Sequence, residues 1–175
     1  MNKPVRDVGA AHVRDDVLWF LDTTFAAWNW AHKSMLDAVK NLSVPEAVWQ
    51  PSRHAHPVWE QIHHVAHWKA YVVERIRGRR TRAHQAWPRA GRTAGDLHRS
   101  IARLARLHHD LRAALLDMDP EAFARAKIGR YALVRLLLGA AAHESYHAGQ
   151  ILLTRKLYRD FRRPAVRGRR SETIR

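Results

Sequence analysis

The chain has 175 residues, 46% of them apolar and 27% charged, a composition that excludes a disordered tail or a fibrous chain and suits a single globular domain. No apolar run approaches the ~18 residues that a membrane-crossing helix needs, and the absence of cysteine excludes disulfides, thiolate metal ligands and a cysteine nucleophile. Lysine and arginine total 31 against 16 acidic residues, for a formal charge of +15, a balance that favours acidic partners or is spread over solvated helix faces.

The N-terminus, Met1-Asn-Lys-Pro-Val-Arg-Asp, has no apolar stretch of the signal-peptide kind, so a cytoplasmic location is expected. Helical periodicity first spans residues 13–42, where Val17, Leu18, Leu21, Phe25, Met35, Leu36 and Val39 mark the apolar stripe. Pro45 and Pro51 then break the chain. A second helix is predicted over 57–77, with Pro57 in its first turn and Gly78 ending it. Residues 78–94 form an Arg-rich connection. A third helix follows over 94–118, with Leu97, Ile101, Leu104, Leu111 and Leu115 at spacings of three and four. Asp119-Pro120 stops it, residues 121–126 add a short turn, and a fourth helix covers 131–158. No strand pattern stands out. Residues 1–160 are thus expected to form one domain, and 161–175 a basic tail that frays.

Helices of this length, at ~1.5 Å per residue, are ~30–45 Å long, the proportions of an all-α four-helix bundle. The connection between helices two and three, at ~3.3 Å per residue, is long enough to return along a whole helix. Helices two and three can then lie parallel, which predicts an up-down-down-up topology.

Histidine is abundant, at 13 residues. His143 and His147, one turn apart on the edge of the fourth helix's apolar stripe, can converge on one cation. Two imidazoles on such a face each need a partner out of water. The spacing is H-E-x-x-x-H, one residue too long for the zincin motif. On the second helix, His64 lies at the flank of the core stripe beside Gln61 and Trp68. His63 and His67 point away from the stripe and are expected on a solvated face, and His54, His56, His108 and His109 in loops or at the surface. One histidine from helix two and two from helix four can make a three-histidine site with a position open for water or substrate. Imidazole suits Zn, Ni, Cu and Fe(II) alike.

Several segments resemble one known family. Ser34-Met-Leu-Asp-Ala-Val, Leu42-Ser-Val-Pro-Glu-Ala-Val-Trp-Gln-Pro and His56-Pro-Val-Trp-Glu-Gln-Ile-His-His-Val-Ala-His-Trp-Lys are similar to the N-terminal half of DinB-like proteins. Leu138-Gly-Ala-Ala-Ala-His-Glu-Ser-Tyr-His-Ala-Gly-Gln-Ile resembles their last helix and is the most specific match. The resemblance covers roughly residues 15–158. It implies an up-down-down-up four-helix bundle with a divalent metal ion (Zn or Ni first, with Fe, Mn or Cu as alternatives) on His64, His143 and His147. It also implies a homodimer, and a reaction with a small-molecule substrate and a low-molecular-weight thiol such as bacillithiol, mycothiol or glutathione. Relatives often carry Trp-His-Gly-Pro where this chain has Trp30-Ala-His-Lys, which leaves a site role for His32 open.

Two enzyme readings follow. In the leading one, the metal lowers the pKa of a thiol brought by the cosubstrate; in the other, metal-bound water hydrolyses a substrate. Trp30, Trp68 and Gln150 are the candidate pocket residues. Glu60 and Glu144 neighbour the presumed ligands without an assignable acid–base role. A non-enzymatic binding protein is the third reading. Its arginine-rich tail could track nucleic-acid phosphates, although no recognised nucleic-acid-binding motif accompanies it.

Overall fold

The computed structural model describes residues 9–27, 33–81, 87, 91 and 93–162. Along the chain these form α1 (Ala10–Phe25), α2 (Met35–Val39), α3 (Val44–Val48), α4 (Val58–Ile76), α5 (Ala94–Leu116), α6 (Pro120–Arg125), β1 (Lys127–Ile128), β2 (Tyr131–Ala132) and α7 (Leu133–Arg162). Among the described residues the fold is all-α apart from the hairpin β1–β2, whose two-residue strands are too short to leave an alternating pattern. Gly129, at φ +60°, supplies the left-handed residue its turn needs. No described helix is long and apolar enough to cross a membrane.

The helix expected over 13–42 is two helices. Its apolar stripe continues through the break, but Ser34 starts a new helix with a capping box. Its hydroxyl accepts the Asp37 N–H at 3.2 Å, while the Asp37 carboxylate accepts the Ser34 N–H at 3.1 Å. Ser43 caps α3 in turn, with Pro45 in the first turn, a helix the proline signal had concealed. The other long helices follow their signals closely. Pro57 is the N-cap of α4 and Gly78 adopts φ +75° beyond its end, while a Thr93–Asp96 capping box opens α5. The last helix outruns expectation by four residues, so Phe161 and Arg162 belong to α7 and not to a tail. Residues 163–175 lie outside the described residues.

Two apolar clusters form the interior. One joins Phe25, the N-terminal half of α4 (Val58, Ile62, Val65), Leu97 and Leu104 of α5, and Ala148 and Ile151 of α7. The other joins Val17 and Leu21 of α1, Val72 and Val73 of α4, Leu111 and Leu115 of α5, and Leu133 and Leu137 of α7. Thus α4 and α5 run from the first cluster to the second, and α1 and α7 run from the second to the first.

A polar seam crosses this interior. Lys69 Nζ lies 2.8 Å from Glu144 Oε2, with only 5% and 2% of the two side chains exposed. The same ammonium lies 3.3 Å from His108 Nδ1, and His108 Nε2 lies 3.0 Å from Asp22. With Lys69 donating to Nδ1, the His108 proton sits on Nε2 and is donated to Asp22. Arg112 donates to the other Asp22 oxygen at 2.8 Å. His108, expected at the surface, is therefore buried, stacked 4.0 Å from the Phe25 ring. Its environment was invisible in the sequence because its partners come from α1 and α4.

A second buried pair fastens the short helices. Arg155 of α7 donates to Glu46 of α3 at 2.9 Å and to the carbonyls of Ala38 and Lys40 at 2.6 and 2.9 Å. Replacing Arg155 with Met leaves two carbonyls without their donor and the buried Glu46 carboxylate with only the exposed Arg159, 3.6 Å away. We expect a loss of about 3 kcal/mol in urea denaturation, largely recovered in the Arg155→Met, Glu46→Leu double variant.

Burial first, and the Lys69 charge second, bring the His108 pKa down to about 4. Its unfolded-state value is higher, near ~6.5, so between these values the unfolded chain binds more protons. Stability is full above pH ~6.5 and falls as the pH drops toward 4. Metal-free protein should lose roughly 5 °C in melting temperature over that window through this residue, and His108→Gln should show a shallower decline. Identical pH profiles would contradict the assignment.

Candidate metal centre

Three histidines meet where α4 packs on α7. His143 and His147 are separated by one turn of α7 and so share a face, and the packing of the two helices brings in His64. His143 Nε2 lies 3.1 Å from both His64 Nε2 and His147 Nε2. One ligand atom from each residue falls within 4.8 Å of the others. Two nitrogens bound at ~2.0–2.1 Å to one tetrahedral ion lie ~3.3 Å apart. The observed spacing therefore fits a shared cation with little adjustment.

The electrostatics fit as well. Burial, then the His64 charge, lowers the His143 pKa. Burial, then His143 and His64, brings His147 down to about 4. Both rings are neutral near pH 7, the state in which imidazole ligates metal. A cation would relieve the close approach of three nitrogens that cannot all be donors or all acceptors.

The surroundings are aromatic on one side and polar on the other. Trp87 stacks on His64, with ring centres 4.1 Å apart and planes 5° from parallel, and on His56 at 3.6 Å and 3°. Trp68 meets His64 and His143 edge-on at 6.4 and 6.3 Å. A cavity of about 490 Å³ is bordered by all three histidines and by His56, Gln61 and Gln150. Gln61 donates to the His56 carbonyl at 3.1 Å, while its own Oε1 is buried with no hydrogen-bond partner among the described residues. The Gln150 amide donates to the Tyr146 hydroxyl at 2.8 Å.

The structure thus brings together the three histidines singled out in the sequence and places Trp68 and Gln150 beside them. Trp30 and His32 lie outside the described residues. His63 and His67 are half-buried instead of solvated, and His63 Nε2 lies 2.8 Å from the Ser100 hydroxyl of α5. The periodicity of α4 alone could not reveal that α5 covers that side. His56 is half-buried against Trp87 and bonded to Glu60 at 2.9 Å, which commits Glu60 away from the cluster. Glu144 is likewise committed to Lys69; burial raises its pKa and Lys69 opposes the rise. Sequence reasoning missed Trp87 and Lys69. The first sits in a connection without periodicity, and the second is a charge whose partner lies on another helix.

The family model described as the DinB superfamily matches residues 27–151. No curated protein and no solved structure matches the chain. The matched stretch takes in His64, His143 and His147 and most of the helices that carry them, and the chain belongs to the DinB superfamily.

Proposed function

We propose that this protein is a metal-dependent enzyme in which His64, His143 and His147 hold one divalent cation, Zn or Ni by preference, and that it transfers a low-molecular-weight thiol to a small substrate. The observation that carries the reading is the convergence of three imidazole nitrogens, those of His143 and His147 with lowered pKa values, on the wall of an open cavity of mixed polar and apolar lining. Three protein ligands leave a coordination position for an exogenous group, the arrangement of catalytic sites and not structural ones. When bound, the cation supplies Lewis acidity that lowers the pKa of a coordinated thiol or water.

The protein's own residues supply position. Trp87 holds the His64 ring flat against one face, restricting its rotation. The unmet acceptor of Gln61 and the amide of Gln150 offer polar contacts to a thiol's peptide-like or sugar-like body. The absence of cysteine agrees with a cosubstrate that brings the sulfur, and a thiol-rich cytoplasm is the compartment this reading implies. The opposed senses of α1 and α7 against α4 and α5 support an up-down-down-up four-helix bundle. The exposed Leu138, Tyr146, Leu153, Leu157 and Phe161 of α7 support a homodimer.

Elemental analysis should find one divalent ion per chain in wild type and in His67→Ala, and little in His147→Ala. Metal should also raise the melting temperature, because it binds the folded state alone. Full occupancy in His147→Ala would refute the ligand set.

Cobalt(II) substitution tests the reaction class. A thiolate-to-cobalt charge-transfer band should appear on adding the native thiol among bacillithiol, mycothiol and glutathione, and be absent in His143→Ala. Hydrolysis by bound water predicts no such band, and ester or amide cleavage that rises with pH near ~7.

A further inference from the structure

The histidine cluster borders a second chamber that the thiol reading does not use. A cavity of about 480 Å³ is lined by His64 and His143 but not by His147. Its volume lies within the ~300–1,000 Å³ range of small-molecule sites. The remaining wall is aromatic and aliphatic, with Trp68, Tyr71, Tyr131 and Leu136 as its main surfaces and Arg135 as its one charged residue.

Two features mark it as a site for a ligand. Arg135 is exposed and makes no hydrogen bond or ion pair among the described residues. Its neighbour Arg130 is by contrast engaged, donating to the Tyr131 hydroxyl at 2.8 Å and lying over that ring. Arg135 therefore offers a free planar fork of donors, which matches a carboxylate. The second feature is Gly139, also on the cavity wall. Glycine is a poor residue inside a helix, yet a Cβ there would meet nothing within 4 Å. No packing contact requires the glycine, and without a side chain it adds no bulk to that wall of the chamber.

We propose that this chamber binds a small, flat, apolar carboxylic acid. The apolar body lies against Trp68, Tyr71 and Tyr131, the carboxylate meets Arg135, and the other end of the molecule abuts His64 and His143. The two cavities then receive chemically unlike molecules on either side of the same two histidines, a polar one beside Gln61 and Gln150 and an apolar acid beside Trp68. The assignment of the acid as the second substrate rests on the thiol-transfer reading; its binding does not.

The test uses the full-length protein, as purified and after metal depletion, at low ionic strength. 1-Naphthoate and its neutral analogue 1-naphthalenemethanol are titrated by calorimetry, with tryptophan fluorescence as a second readout. Naphthoate should bind more tightly than the alcohol. Arg135→Gln should weaken naphthoate by about tenfold and leave the alcohol unchanged, whereas Gly139→Leu should weaken both. These effects should persist without metal. Circular dichroism confirms that each variant retains wild-type helix content. Absence of naphthoate binding by wild type, equal affinity in Arg135→Gln, or loss of binding on metal depletion would each overturn the proposal. Failure of the thiol reading has a separate signature: no thiolate–cobalt band, with naphthoate binding and its Arg135 dependence intact.

Discussion

The buried ion pair between Lys69 and Glu144 holds α4 and α7 in one register. Two charges taken out of water incur a desolvation penalty that their attraction repays only at close range, and here they meet at 2.8 Å. Sliding either helix by a residue would separate them and leave each charge stranded in the interior. Lys69 follows His64 by little more than a turn, and Glu144 directly follows His143. The register that satisfies the charges is therefore also the one that brings His64 within 3.1 Å of His143.

From this pair the polar seam spreads to the other long helices. Lys69 reaches His108 on α5, and His108 reaches Asp22 on α1. Each buried polar group in that sequence finds a partner on a different helix, so the contacts constrain relative placement more than the surrounding leucines do. Apolar packing tolerates exchange of similar shapes; a neutral histidine between an ammonium and a carboxylate accepts one arrangement. Arg155 plays the same part at the other end of α7, where it fastens α2 and α3 through Glu46 and two carbonyls.

The chemistry of the centre follows from what surrounds it. Burial and mutual repulsion keep His143 and His147 neutral, ready to ligate, while Trp87 lies flat against His64. His64 and His143 line two chambers, one of mixed polar and apolar lining and the other mostly apolar. For the proposed transfer between two molecules of different character, such an arrangement would let each chamber take its own occupant by solvation before any bond changes.

The sequence by itself determined the long helices, because a stripe at spacings of three and four, a proline, a capping threonine or a terminal glycine acts within one or two turns. It also determined the His143–His147 pair, whose geometry is a property of a single helix, and it placed His64 on the flank of its own helix. The Ser34 capping box is local too, but its signal was masked by an apolar stripe that reads straight across the break. The choice of His64 over His63 and His67 was already legible from the wheel of α4; only the tertiary structure decided that α5 covers the His63 side of that helix, leaving His63 half-buried. It likewise decided that His108 and Lys69 are interior and that Trp87 covers the site. Those outcomes depend on partners far apart along the chain, where side-chain charge and hydrogen bonding are satisfied between helices and no periodicity within one helix records them.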